Sequence, residues 1–305
     1  MRRIRALAIP PAWTDVWICA DPHDHLQATG RDARGRQQYR CHPEWTRRRG
    51  REKLARIIAF GAALPRLRRA LRRSLAIPGF PREKVIAMVV AVLGATLIRI
   101  GNTEYASSNR SYGMTTLRDR HVSAMRGGGL RFRFRGKSGQ WQDVTLTDAR
   151  LARLVKRLRQ LPGQLLFQYR DPDAAEHPVR SSDVNAWLHD TMGDGFSAKD
   201  FRTWAATTMA FRALATTELP AGQDGHPPSE RALAQVENAV IDEVAGVLGH
   251  SRAVCRSAYI EPSLFAAWRD GALARRAAAV RGERQWEADS LRFLRGIARG
   301  MRKRA

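Results

Sequence analysis

The sequence predicts an α+β protein. A small β-rich N-terminal domain is expected over residues 1–77, and a larger, mainly helical domain over 78–305, with one β-hairpin set into it. Three observations lead there. Short strand-like runs separated by Gly and Asp fill the chain up to about Arg51. Leu130 to Leu146, LRFRFRGKSGQWQDVTL, alternates apolar and charged residues about a glycine-flanked reversal. Nearly all the remainder carries apolar residues at helical spacing.

Within the first domain, Trp13 and Trp17 flank a Thr14-Asp15 turn, and Val16-Trp17-Ile18 reads as a strand. His25 to Thr29 reads as a second strand ended by Gly30, and Gln37 to Cys41 as a third. Arg31, Arg34, Arg36, Gln38, Tyr39 and Arg40 stand on this β-module. Such side chains can reach phosphates and base edges in a nucleic-acid groove, or form a solvated basic hairpin. Arg47 to Leu75 predicts a very basic helix with Leu54, Ile57, Ile58, Leu64, Leu67 and Leu71 as its core stripe. The segment AIPGFPR, Ala76 to Arg82, ends it and marks the domain boundary.

Val85 to Ile100 predicts a buried helix, with Arg99 at its end. A guanidinium there needs an ion pair or a function. In the hairpin, Leu130, Phe132 and Phe134 give an apolar face, and Arg131, Arg133 and Arg135 a basic one. G-K-S-G, Gly136 to Gly139, lifts Lys137 to the tip. The spacing is not that of a phosphate-binding P-loop. From Asp148, which can cap a helix through Leu161, the chain reads as helical to its end. Further helices are expected from Ser181, from Lys199 and from Ala232 to Leu248, with a polar loop at Pro220 to Pro228. The segment from Arg275 to Ala305 predicts an amphipathic helix and a basic end.

Composition narrows the partner. Lys and Arg number 53 against 29 Asp and Glu, a net charge of +24, so the chain should attract polyanions with a steep salt dependence. Three scattered cysteines, Cys19, Cys41 and Cys255, make neither a disulfide framework nor a zinc ribbon and suit a reducing compartment. The start lacks the long apolar stretch of a signal peptide, and the most apolar run, Val85 to Ile98, is too short to span a bilayer. The expectation is a cytoplasmic, nucleoid-associated monomer that takes no metal or small-molecule cofactor.

The stretch VAGVLGHSRAVCRSAYIEP, Val244 to Pro262, holds His250 and Tyr259 in the pattern L-G-H-x8-Y. Alone it fits packing as readily as chemistry, because a phenol of pKa about 10 is a poor nucleophile unless cations hold its electrophile. Four separated segments give it company: IRIGNTEY with Arg99, FRGKSG with Lys137, KDFRTW with Arg202, and LGHSRAVCRSAY. Their order and spacing resemble the small type IB DNA topoisomerases, the poxvirus-like group that also occurs in bacteria. The resemblance covers most of the chain, including GRDARGRQQYRCHPEW and YASSNRSYGMTTLRDRHV.

That resemblance implies Tyr259 as nucleophile, Arg99, Lys137, Arg202 and His250 as the phosphate-binding catalytic set, and Lys199 as an accessory basic residue. It also implies a C-shaped clamp on duplex DNA and transient single-strand cleavage through a 3′-phosphotyrosyl bond, relaxing supercoils of either sign without ATP or a required metal. Two alternatives stay open at this stage. One is a tyrosine recombinase, although such enzymes usually carry H-x-x-R at the second arginine, where this chain has Lys199 before Arg202. The other is a non-enzymatic basic nucleic-acid-binding protein.

Overall fold

An almost unbroken apolar run becomes the central helix of the protein. In the computed structural model, which describes residues 2–303 apart from 172, 174, 194, 223–225 and 275–281, that run is the helix Arg82–Thr96. It has no polar face: Val85, Ile86, Ala87, Met88, Val89, Val90, Val92 and Leu93 are all buried. A helix apolar all round must be enclosed by other elements.

The chain divides into two packed units, Met1–Arg56 and Ile57–Ala305. In the first, a short helix α1 (Arg2–Ala6) precedes an antiparallel meander of β1 (Thr14–Ile18), β2 (Leu26–Arg31) and β3 (Gln37–Cys41). The three strands fall close to where the sequence places them, with two differences: the predicted Thr14-Asp15 turn is the start of β1, with Asp15 at φ 50° where the register to β2 shifts, and β2 runs through Gly30 to Arg31. Gly30 is needed there for packing, since a Cβ would lie 2.7 Å from the Trp13 ring. Gln27 and Ala28 are buried, and the Arg3 guanidinium donates to Gln27 Oε1 at 2.7 Å and to the Cys19 carbonyl at 2.6 Å. This arginine of α1 has no signal in the sequence pattern.

Helix α2 (Pro43–Ala76) ends at the Pro-Gly segment, as predicted, yet the packing division falls inside it rather than at residue 77. The reason is aromatic. Phe60 stacks edge-on against Phe196 and Phe201, with centroids at 5.7 and 5.1 Å, and Gly61 lies against Trp204. The later turns of α2 therefore belong to the second unit. The predicted stripe also shifts: Leu54, Ile57, Leu64 and Leu67 are buried together with Phe60, Ala70 and Ser74, while Ile58 and Leu71 are only half-buried.

The central helix, α3, stops four residues before the predicted end at Ile100. Leu97 takes a left-handed conformation (φ 56°) and closes the helix with its N–H on the Leu93 carbonyl. Arg99 thus sits on extended chain beyond the helix. After α4 (Thr103–Ser108) comes an antiparallel sheet of β4 (Val122–Ala124), β5 (Leu130–Arg135) and β6 (Trp141–Leu146). Its β5–β6 hairpin is the predicted one, paired from Leu130↔Leu146 to Arg135↔Trp141. Leu130, Phe132 and Phe134 are buried and the three arginines exposed.

Asp148 caps α5 (Ala149–Leu158), its carboxylate accepting from the Arg150 and Leu151 N–H groups. The chain is not helical from there onward. A two-stranded sheet, β7 (Gln168–Arg170) with β8 (Glu176–Pro178), interrupts it. Each strand has only three residues, too few for alternation to register in the sequence. Helices α6 (Ser181–Met192), α7 (Ala198–Thr216) and α8 (Glu230–Leu248) follow. The Pro220–Pro228 loop expected before α8 lies partly outside the described residues.

A short helix α9 (Arg252–Val254) runs into a π-helical turn, Cys255–Tyr259, and then α10 (Ser263–Arg269). The last helix, α11 (Glu283–Lys303), is amphipathic as predicted. Its Trp286 and Phe293 rings close on Phe211 of α7 at 6.0 and 5.5 Å. The start of the predicted basic tail, from residue 275, and its final residues lie outside the described residues. No helix among the described residues is long and apolar enough to cross a membrane.

Candidate active site

Three breaks in regular structure bring the predicted site residues together within the second unit. The first is the left-handed cap after α3, which turns the chain so that Arg99 emerges half-buried. The second is the C-terminus of α8, where Gly249 (φ 60°) caps the helix and delivers His250. A Cβ at Gly249 would lie 2.7 Å from Gln142 Oε1 of β6, so this cap lies directly against the hairpin. The third is the π-helical turn that ends at Tyr259, a geometry that recurs at functional sites.

Arg99 Nη2 lies 2.9 Å from His250 Nε2 and 3.4 Å from the Gly249 carbonyl oxygen. Arginine cannot accept a hydrogen bond, so His250 must present a lone pair to it. Burial first, then the positive charges of Arg99, Arg202 and Lys137, push the His250 pKa down to about 4. The imidazole is therefore neutral at pH 7. The alternative open for Arg99, a structural ion pair, does not materialise among the described residues, where its partners are His250 and a backbone carbonyl.

Arg202 is 4% exposed, in the first turns of α7. Its guanidinium donates to the Leu97 carbonyl and, at 2.6 Å, to the Leu248 carbonyl. These two carbonyls belong to the C-terminal ends of α3 and α8, which are electronegative and suit a buried cation. Burial, and next the charge of Arg99, depress the Arg202 pKa. Two guanidiniums held together with no carboxylate partner among the described residues make a strong electrostatic demand for an anion.

Tyr259 is 8% exposed, with its ring under the Arg202 Cζ at 5.5 Å and its centroid 4.7 Å from that of His250. Its carbonyl accepts from Thr207 Oγ1 of α7 at 3.2 Å. Thr207 is fully buried and was not legible as part of the site, since a threonine inside a helix carries no motif. Lys137 stands exposed in the turn between β5 and β6, near enough for its charge to act on His250. Lys199, also exposed, precedes Arg202 on the first turn of α7.

The candidates of the first unit are arranged less uniformly. Arg36 and Gln38 converge on Asp32, at 2.7 and 2.9 Å, and the bond to Arg36 is the main cause holding that carboxyl down to about 2. Arg31 donates to the Gly35 carbonyl at 3.0 Å. Arg40 lies over the Trp13 ring at 5.3 Å and donates to the Ala8 carbonyl. Tyr39 is on the opposite face of β3 and 57% exposed, so the set does not form one surface.

Comparison with known proteins identifies the family. Residues 42–266 match the family model of the eukaryotic DNA topoisomerase I catalytic core, and residues 1–32 match that of the bacterial DNA topoisomerase IB N-terminal domain. The DNA topoisomerase 1B of Acanthamoeba polyphaga mimivirus is 33% identical over 264 residues, which cover 85% of this chain and 77% of that protein. With residues 42–266 and 1–32 both matched, and a relative 33% identical over 85% of the chain, the chain belongs to the type IB DNA topoisomerase family.

Proposed function

We propose that this enzyme relaxes supercoils of both signs by cutting one strand of duplex DNA through a covalent 3′-phosphotyrosyl bond at Tyr259 and then resealing it. The observation that carries the reading is the placement of a nearly buried phenol beside two guanidiniums that, among the described residues, have no carboxylate partner. A phosphodiester supplies the anion such a pocket lacks.

In this reading the phosphate binds with its non-bridging oxygens on Arg99 and Arg202, and the Arg99 N–H now spent on His250 turns to it. The Tyr259 Oη–P bond forms as the P–O5′ bond breaks. The phenolic proton passes to water, and Lys137, swung in from the hairpin tip, protonates the departing 5′-oxygen. His250 offers one further N–H to the phosphorane. Preorganised cations in a partly dry pocket supply the charge stabilisation that a divalent metal supplies elsewhere. The phosphotyrosyl bond keeps the energy of the phosphodiester, so resealing needs no nucleotide. While the strand is open, the free end can rotate. Lys199 and the basic meander of the first unit contribute phosphate contacts away from the reacting bond.

The test is denaturing-gel trapping of the covalent adduct, with the modified residue mapped, on wild-type protein and Tyr259→Phe. The adduct should map to Tyr259 and vanish in the variant while duplex binding stays within a few-fold. Strand cleavage by Tyr259→Phe at the wild-type rate, or an adduct mapped to another residue, would sink the assignment.

A further inference from the structure

We propose that Glu237 is a positioning residue for Tyr259, acting through Arg256. The inference rests on Tyr259 being the nucleophile and adds to it the device that holds the phenol in line.

Glu237 lies midway along α8 and is one of the most deeply buried carboxylates in the protein, 2% exposed. Both its oxygens are taken by arginines. Oε2 accepts from Arg256 Nη2 at 2.8 Å, and Oε1 from Arg269 Nε at 2.6 Å. Arg269 reaches on to Glu230 at 2.7 Å. The two arginines bracket the tyrosine in sequence: Arg256 is on the π-helical turn one turn before Tyr259, and Arg269 ends α10, the helix just after it. The Arg256 guanidinium also lies 4.7 Å over the Phe265 ring of α10. One carboxylate thus binds both flanks of Tyr259 to a single rod, and that rod ends at Gly249 and His250.

The π turn gives this brace its work. Its closing bond spans Ile260 N–H to the Cys255 carbonyl at 3.2 Å, a wider and looser ring than the α-helical one. The turn spans five residues and the chain leaves it extended at Ile260, so contacts from outside the turn must help hold the phenol. In-line attack tolerates little displacement, and an error of about 1 Å lowers a rate by up to roughly 10²-fold. Two external anchors supply these contacts: Thr207 on the Tyr259 carbonyl, from the helix of Arg202, and Glu237 on Arg256, from the helix of His250. The nucleophile is therefore tied separately to the elements that carry its two neighbours in the pocket.

The experiment measures single-turnover adduct formation on a short duplex at saturating full-length protein, for wild type, Tyr259→Phe, Arg256→Gln, Glu237→Gln and Glu237→Gln/Arg256→Gln. Each is run on ordinary DNA and on a duplex whose bridging 5′-oxygen at the cleavage site is sulfur. Arg256→Gln leaves Glu237 its bond to Arg269 and so keeps the buried carboxylate paired, even where Glu237→Gln folds poorly. Arg256→Gln should slow adduct formation roughly 10–100-fold. Its duplex Kd should stay within two-fold, and the defect should be equal on both substrates, because the fault lies in the nucleophile and not in the leaving group. The double variant should be no slower than the slower single one, since both break one tether. Glu287→Gln, which breaks the Arg68 pair remote from this turn, should cleave as wild type does.

A wild-type rate in Arg256→Gln overturns the inference. So does recovery on the sulfur substrate, or a rate loss matched by weakened duplex binding, which would make Arg256 a phosphate contact. If the wild-type adduct does not map to Tyr259, the nucleophile reading itself fails. If it does and Arg256→Gln is unimpaired, only the positioning role falls.

Discussion

Replacing Lys137 by Ala separates proton donation from phosphate binding, because the structure isolates this side chain. Lys137 is exposed at the turn of the β5–β6 hairpin, and the six-pair ladder below it, from Leu130↔Leu146 to Arg135↔Trp141, does not use its side chain. Truncation there should change stability by no more than about 0.5 kcal/mol. The whole effect should therefore appear in the chemistry. A positioned proton donor is worth about 10²–10⁴-fold, equivalent to about 3–5 kcal/mol of barrier. Lys137→Ala should slow single-turnover cleavage by a factor in that range on ordinary DNA. With a bridging 5′-sulfur the leaving thiolate needs little protonation, so the variant should recover most of its rate. Arg202→Ala gives the contrast. It strips donors from the half-buried Leu97 and the buried Leu248 carbonyls, about 1–3 kcal/mol for the buried acceptor and less for the other, and should melt lower as well as cleave more slowly on both substrates. Equal defects of Lys137→Ala on the oxygen and sulfur substrates would refute its role as the acid and leave it one phosphate contact among several.

Gly61→Ala places a Cβ 2.4 Å from the Trp204 ring, and this overpacking should destabilise the protein by about 1–3 kcal/mol, read as a lower Tm; an unchanged Tm would show that α2 gives way freely. His250 and His121 are each pushed down to about 4, chiefly by burial. Below the ordinary histidine pKa of about 6.5 the unfolded chain takes up protons that the fold refuses, so stability held in full above that pH should drain away as pH falls toward 4. Thermal melts of the DNA-free protein from pH 7.5 to 4.5 check this, and His250→Gln should flatten part of the slope. Plasmid relaxation should proceed with a chelator and without nucleotide; strict dependence on magnesium or ATP would exclude a mechanism run on fixed cations. A fragment starting at Pro43, which keeps α2 whole, should still form the adduct but bind duplex DNA more weakly and with a shallower salt dependence. Equal affinity and slope for fragment and full chain would remove the meander from the DNA contacts.

Much of this architecture is legible in residue patterns because the signals are local. The β5–β6 hairpin follows from LRFRFR and its glycine-flanked tip, α5 from the Asp148 cap, and the end of α8 from Gly249, each decided by neighbours in sequence. The candidate site was legible too, as four ordered segments. Where the reading departed from the structure, longer-range packing took over. The domain division moved into α2 because Phe60 and Gly61 meet Phe196, Phe201 and Trp204, far along the chain. The β7–β8 pair escaped because its short strands are stabilised by pairing with each other and not by a pattern of their own.

By itself the sequence determined which chemical groups the chain carries, their order, and the local structure that presents them: a cation-rich set with one tyrosine, on helices and a hairpin whose periodicity and caps are written in adjacent residues. Only the tertiary structure decided how those groups feel one another. That His250 is neutral follows from its burial beside Arg99, Arg202 and Lys137. That Arg202 can stay buried follows from two carbonyls brought to it by separate helices, Leu97 and Leu248. That Tyr259 is held from both sides follows from Thr207 and from the Glu237–Arg256 pair. Each of these depends on distances between residues remote in the chain, and electrostatic and hydrogen-bond energies fall off over a few ångströms of space, whatever the separation in sequence.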